Sequence, residues 1–132
     1  MISLAADRRQ RQPAKGYKVC ALLALLALPA AADPPTVEHV KVQKTGADTW
    51  RFDATISHPD TGWDHYADGW RVLDMNGNVL GIRVLTHPHV KEQPFTRSLS
   101  GVRIPEGTTE VQVQARDLPG GWAPSTTLVR LP

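Results

Sequence analysis

With 132 residues, 15 basic and 13 acidic side chains and one cysteine, the chain has room for one domain and no disulfide framework. The net charge of +2 is small, and the basic residues form no patch typical of nucleic-acid binding. We therefore expect one domain that is held together by core packing and does not bind nucleic acid.

Residues 1–32 have the order of a secretory signal peptide. Five basic residues precede the apolar run Val19–Leu28, and Ala30–Ala32 supplies a small-residue cleavage site. The alternative is an uncleaved membrane anchor, but that needs roughly 20 apolar residues. We expect cleavage after Ala32 and export of residues 33–132 to the periplasm or the extracellular space. The mature chain would then have no membrane span.

Cleavage changes both the charge and the chemistry of the protein. The leader carries five basic residues, one acid and Cys20, so 10 basic and 12 acidic residues and no cysteine follow Ala32. The mature domain therefore has neither a disulfide nor thiolate chemistry.

The mature chain reads as seven short strands. The clearest is Trp50–Ile56, where Trp50, Phe52, Ala54 and Ile56 alternate with polar residues, as in a strand with one buried face. Asn76-Gly77-Asn78 predicts a hairpin turn. The other six predicted strands are Thr36–Gln43, Trp70–Asp74, Val79–Thr86 (with Leu80, Ile82 and Val84 on one face), Phe95–Ser100, Val111–Arg116 and Thr127–Leu131.

Seven strands with frequent turns in about one hundred residues favour a β-sandwich. The I-P-E-G-T corner, the V-Q-V-Q-A-R-D strand, the G-G-W loop and the T-T-L-V-R-L-P ending resemble the last half of a fibronectin type III domain. Trp50 fits that family, whereas Val111 stands where it usually has a tyrosine. The resemblance implies a single seven-stranded immunoglobulin/fibronectin type III-like β-sandwich over residues 33–132. The G-W-D-H-Y-A-D and H-P-H-V-K-E-Q-P-F-T-R stretches are also similar to small exported bacterial proteins without assigned function.

The polar side chains that are able to bind a ligand lie at one end of this predicted sandwich. Antiparallel order places the loops 58–68, 87–94 and 118–124 together, and the start of the first strand joins them. All five histidines therefore fall at or near that end, whereas the opposite end has no histidine and no aromatic residue.

Metal binding is one interpretation of this end. In extended chain, His87 and His89 project to the same side, and His58 or His65 with Asp60 or Asp64 would complete a tetrahedral set. Imidazole and carboxylate donors suit zinc or copper. The alternative is that these four histidines bind loop backbone and only shape the loops.

Recognition by aromatic side chains is the second interpretation. Trp63, Asp64, Tyr66 and Trp122 lie in loops at the same end, where they would contact a glycan or a protein partner. The alternative is that Trp63 and Trp122 plug the open end of the sandwich.

Catalysis has the weakest support. Ser98 and Ser100 lack the glycine two residues earlier that a nucleophile elbow needs, and acidic loop residues are usually turn formers. The sequence therefore predicts an exported, non-enzymatic binding module of unknown ligand. The alternative is a transition-metal-binding protein.

Overall fold

The computed structural model describes residues 33–132. The expected signal peptide and its cleavage site lie outside these residues. The described part is all-β and contains eight strands and no helix. The strands are β1 (Thr36–Lys44), β2 (Thr49–Ser57), β3 (Tyr66–Leu73), β4 (Val79–Val84), β5 (Phe95–Arg103), β6 (Glu110–Leu118), β7 (Gly121–Trp122) and β8 (Thr127–Arg130).

The strands form two antiparallel sheets. One sheet has the order β1-β2-β5, and the other has the order β4-β3-β6-β7, with β8 also pairing with β6. Side chains from the two sheets meet in one shared cluster of buried residues. This arrangement is compatible with the β-sandwich that the sequence predicted.

The core is built by strands whose inward positions are apolar. In β2, Phe52, Ala54 and Ile56 are fully buried, as the alternation predicted, and Trp50 is nearly so. The inward residues of β3, β5 and β6 complete the core, and removal of their apolar surface from water stabilises the fold at roughly 25 cal/mol per Å². They include Trp70, Val72, Phe95, Val102, Val111, Val113 and Ala115.

The last predicted strand, Thr127–Leu131, is found as β8, one residue shorter. A further short strand that the sequence did not predict, β7, lies in the preceding loop, and both strands pair with β6. Gly121 adopts a φ of +79°, a conformation that glycine reaches without steric cost, so the chain reverses within two residues of β6. Trp122 consequently lies in a strand and not in the predicted loop.

The single face predicted for Leu80, Ile82 and Val84 was wrong. Leu80 packs against the core, whereas Ile82 and Val84 are about half exposed and Gly81 faces the other sheet. A side chain on Gly81 would meet Leu99 at 3.0 Å from its Cβ. The pairing of β3 with β4 shifts register between Val72 and Leu73, and an irregularity of this kind interrupts the alternation of faces along the strand.

The loops that precede β3, precede β5 and follow β6 meet at one end of the domain. His58 N–H donates to Gln93 Oε1 at 3.0 Å, and His89 N–H donates to Asp60 Oδ2 at 2.8 Å. These contacts confirm the predicted grouping of the loops. His39 is exposed on β1, where it pairs with Thr55 near the same end of the sheet. Across residues 33–132, no helix exists that could cross a bilayer.

Candidate functional site

The site begins where the buried face of β2 ends. His58 follows the inward series Phe52, Ala54 and Ile56 by two residues, so its imidazole enters the end of the core. Its side chain has no exposed surface. His58, which the sequence analysis placed in a loop, is therefore an extension of a core strand.

Two further strands add polar residues by the same alternation. Asp117 continues the inward series Val111, Val113 and Ala115 of β6 and is 2% exposed. His65 lies two residues before the buried Ala67 of β3, and its side chain is 25% exposed. Three strand ends thus bring two imidazoles and one carboxylate together.

The three donor atoms converge. Asp117 Oδ2 lies 3.2 Å from His58 Nε2 and 3.6 Å from His65 Nε2. These atoms all lie within 4.8 Å of one another, and this is the only such group of His, Cys, Asp or Glu among the described residues. Metal–ligand distances of about 2.0–2.1 Å would give a tetrahedral site edges of roughly 3.3–3.4 Å. The two measured distances fall on either side of that length.

Asp60 holds the opposite side of the His58 ring. Its Oδ1 lies 2.6 Å from His58 Nδ1 and accepts the Ala67 N–H at 3.0 Å, while its Oδ2 accepts the His89 N–H at 2.8 Å. This buried carboxylate therefore fixes the orientation of the His58 ring and ties β3 and the loop before β5 to the site.

The hydrogen bonds of His58 require more than one proton or cation. Both nitrogens of His58 face carboxylate oxygens, so one proton on the ring cannot satisfy both contacts. Within residues 33–132, the only basic groups within 4 Å of Asp60 and Asp117 are histidines. A cation between His58 Nε2 and Asp117, either a second ring proton or a metal ion, would resolve the conflict.

His87 and His89 do not join this group. Their rings are adjacent, with centroids 4.6 Å apart, as residues two apart in extended chain should be. However, Nε2 of His89 accepts a hydrogen bond from Arg97 Nη2 at 2.9 Å, and its ring stacks on Phe95 at 3.9 Å. Burial lowers the pKa of His89 below 6.5, and the positive charge of Arg97 lowers it further. The structure therefore separates the four predicted histidine ligands into two pairs.

The predicted aromatic residues also separate. Trp63 is 66% exposed on a turn closed by the His65 N–H···O Gly62 hydrogen bond, and it makes an edge contact with Tyr66 at 5.8 Å. Asp64 is exposed in the same turn. Because Trp63 projects into solvent, it does not plug the end of the sandwich.

Trp122 lies on the outer face of the larger sheet. The Arg71 guanidinium is 3.8 Å from its ring centroid and the Arg116 guanidinium is 5.0 Å away. Arg71 is held in place by two hydrogen bonds to Gln114 Oε1 at 2.9 and 2.7 Å. This Trp122 is therefore packed between strands and is not a second free aromatic surface beside Trp63.

Asp117 is not among the ligands that the sequence predicted. The available signal was the continuing alternation of Val-Gln-Val-Gln-Ala-Arg-Asp, which places Asp117 inward. The neighbouring Arg116 points to the outer face, where its Nε lies 3.3 Å from Asp68 Oδ1.

No protein-family model and no solved structure matches the chain. It is similar to a protein of Halomicrobium mukohataei named "Putative lipoprotein", with 40% identity over 93 residues. That match covers 70% of this chain and 45% of the other protein, so the chain spans less than half the length of this relative.

Proposed function

We propose that this chain is an exported protein whose sandwich domain binds one divalent transition-metal ion through His58, His65 and Asp117. The observation that carries the proposal is the convergence of three donor atoms with two edges of 3.2 and 3.6 Å. The role proposed is binding and not catalysis, as the sequence predicted.

The contact between Asp60 and His58 supports this function. Histidines that bind metals usually donate their other ring N–H to a carboxylate, which fixes the tautomer and the ring orientation. A proton on Nδ1, held by Asp60 at 2.6 Å, leaves a lone pair on Nε2 that points towards Asp117. Asp60 would thus orient the ligand without touching the metal.

Charge balance supports a metal over a single added proton on His58. With His58 doubly protonated and His65 neutral, the cluster keeps one uncompensated negative charge in a buried setting, which is costly. A divalent ion bound to neutral histidines would cancel both carboxylate charges. Mixed nitrogen and oxygen donors suit zinc or copper, whereas calcium and magnesium prefer oxygen donors alone.

Metal titration of chelator-treated protein tests the proposal. Zinc or copper should bind with one-to-one stoichiometry by calorimetry. At a free concentration of about 100 times Kd, it should stabilise the fold by about 2.7 kcal/mol. His65→Ala should weaken binding by more than the roughly 10- to 100-fold typical of losing a residue that only orients a ligand.

His65 is the best position for this variant because its side chain is partly exposed, so its loss should spare the fold. The matched control is His39→Ala, an exposed histidine on β1, which should bind metal normally. A melting temperature unmoved by either ion, or equal binding by the His65→Ala variant, would refute the site.

Export and fold type complete the proposal. The basic and apolar order of residues 1–32 supports export, as does the word lipoprotein in the name of the relative. The sheet orders β1-β2-β5 and β4-β3-β6 support an immunoglobulin/fibronectin type III topology, in which the first, second and fifth strands share a sheet. Mass spectrometry should show that the exported product begins at Asp33.

The exposure of Trp63 favours a second function, which is contact with a glycan or protein partner. A tryptophan that is 66% exposed on a hydrogen-bonded turn offers apolar area at little entropic cost. Trp63→Ala should abolish partner capture in a glycan or protein-binding screen, while Trp122→Ala, on the outer sheet face, should not. Equal losses from the two variants would argue against a Trp63 surface.

A further inference from the structure

The outer faces of the two sheets differ in chemistry. On the smaller sheet the outer face is polar, since Arg51 donates to Asp53 and Ser98 there, and Thr55 and Thr96 share a hydrogen bond at 2.8 Å. None of the large apolar side chains that are exposed in residues 33–132 lies on β1, β2 or β5. Four of them, each 40–66% exposed, cluster around the outer face of β3, namely Trp63, Ile82, Val84 and Leu118.

Strand register joins these four side chains into one surface. Residues paired across antiparallel strands lie side by side on the same face of a sheet. The pairs along β3 are Tyr66–Leu118, Gly69–Val84 and Arg71–Ile82. Trp63 joins the first pair through its edge contact with Tyr66 at 5.8 Å. We call Trp63, Tyr66, Ile82, Val84 and Leu118 the outer patch, and a contiguous exposed patch with polar residues around it is typical of interaction sites.

The two ends of the outer patch carry opposite charges. Asp64 is exposed beside Trp63 at one end, and among residues 33–132 its side chain makes no ion pair. Arg71 lies at the other end, where its guanidinium is held 3.8 Å from the Trp122 ring centroid. Within the same residues, no carboxylate oxygen lies within 4 Å of that guanidinium, whose hydrogen bonds go to a glutamine. Each end of the patch therefore offers a charge that the other end would complement.

We infer that the outer patch binds the outer patch of a second copy of this chain. A two-fold axis makes both copies use the same surface, so that surface must be complementary to itself. When the axis crosses the strands at Gly69, the strands of the two copies run in opposite directions. Asp64 of each copy then faces Arg71 of the other, and Trp63 covers the apolar side chain of Ile82.

Gly69 suits the centre of such an interface. It lies between Asp64 and Arg71 along the chain, and it has no side chain to hold the two sheets apart. The opposite charges at the two ends of the outer patch set the register of the two copies, because a shifted register leaves them unpaired. This inference rests on the proposed Trp63 surface and names its partner as a second copy.

Sedimentation equilibrium of the exported protein tests the inference. The wild-type protein should show a concentration-dependent equilibrium of monomer and dimer. Asp64→Arg and Arg71→Glu should each raise the dimer Kd by about tenfold or more, because each variant dimer holds two like-charged pairs. An equal mixture of the two variants should dimerise with nearly the wild-type Kd, since both contacts then join opposite charges.

Two more variants keep the test independent of Arg71, which also packs on Trp122. Val84→Asp places a charge inside the outer patch at a position that is 55% exposed, so it should dissociate the dimer and keep a native circular dichroism spectrum. The matched control is Asp48→Arg, which reverses an exposed aspartate at the opposite end of the domain and should leave the dimer Kd unchanged.

The outcomes separate this inference from the proposed function. A wild-type protein that stays monomeric overturns the inference, and so does a dimer that Asp64→Arg and Val84→Asp both leave unchanged. A mixture of natively folded Asp64→Arg and Arg71→Glu variants that stays monomeric overturns the two-fold pairing. A monomer that still captures a glycan or another protein through Trp63 overturns the second copy as partner and leaves the proposed Trp63 surface in place. Calorimetry of metal binding is independent of each of these results.

Discussion

At the scale of single residues, the most unusual feature is an imidazole held between two buried carboxylates. His58 meets Asp60 at 2.6 Å and Asp117 at 3.2 Å, and it also makes an edge contact with the His65 ring at 4.7 Å. Buried carboxylates are rare unless their charge and hydrogen bonds are compensated. Asp60 achieves this with two backbone N–H groups and a histidine, which explains how a charged residue persists at the end of an apolar core.

Asp60 should consequently be a large contributor to stability even without metal. Asp60→Ala would leave three buried donors unpaired, on His58, Ala67 and His89. We expect a loss of about 3–5 kcal/mol, the usual cost of breaking a buried charged pair from one side. Urea unfolding followed by circular dichroism in the presence of a chelator would measure this loss.

The matched control for this prediction is Asp48→Ala at the opposite end of the domain. Asp48 is exposed, and among the described residues its side chain makes no hydrogen bond or ion pair. Its replacement should change stability by no more than about 0.5 kcal/mol. Similar losses in the two variants would contradict the role assigned to Asp60.

At the scale of secondary structure, the candidate site results from the alternation of inward and outward side chains along three strands. The period of two that buries Ile56, Ala67 and Ala115 also directs His58, His65 and Asp117 inward at the strand ends. A one-residue slip in any of these strands would turn its polar residue to the outer face. The same strands therefore build the core and position the donors, so core mutations near these ends should disturb both.

At the scale of the whole molecule, the two ends of the domain differ in chemistry. The end that carries the site holds buried histidines and aspartates, while the opposite end holds turns stabilised by exposed groups. Asp74 there accepts hydrogen bonds from Asn76 and Asn78, and the bonds from Asn78 keep the pKa of Asp74 below 3.8. The buried titratable side chains are thus concentrated at the end that carries His58, Asp60 and Asp117.

The molecule should lose stability on mild acidification because of His89. Its folded pKa is lowered, first by burial, then by Arg97 and by His87, with Glu92 and Asp60 acting in the opposite direction. Below about pH 6.5 the unfolded chain binds this proton and the folded chain resists it, so stability falls until the folded pKa is reached. His89→Gln should flatten this slope in urea unfolding curves.

The control is His39→Gln, an exposed histidine on β1 that is not among the groups acting on His89, and it should keep the wild-type slope. The aspartates with lowered pKa, Asp53 and Asp74, contribute stability that is lost only below 3.8, so they do not enter the same pH window. An unchanged slope in the His89→Gln variant would show that another group governs the acid response.

The sequence by itself determined the all-β class, the buried face of β2, and the collection of histidine-bearing loops at one end. These follow from local rules: the period of side chains along a strand, the turn residues, and the antiparallel order of successive strands. Each can be read from residues that are near one another in the chain. These rules were sufficient to predict that His58, His65, His87 and His89 lie at the same end of the domain.

Only the tertiary structure decided which of these residues meet. It brought His58 and His65 next to Asp117, which is 52 or more residues away in the sequence. It also engaged Nε2 of His89 in a hydrogen bond from Arg97. It also turned Ile82 and Val84 outward and moved Trp122 into a strand beside Arg71. Alternation gives the two faces of a strand, but the partner across the sheet or loop depends on register and on how the sheets pack. The donor set of the site is a product of that packing.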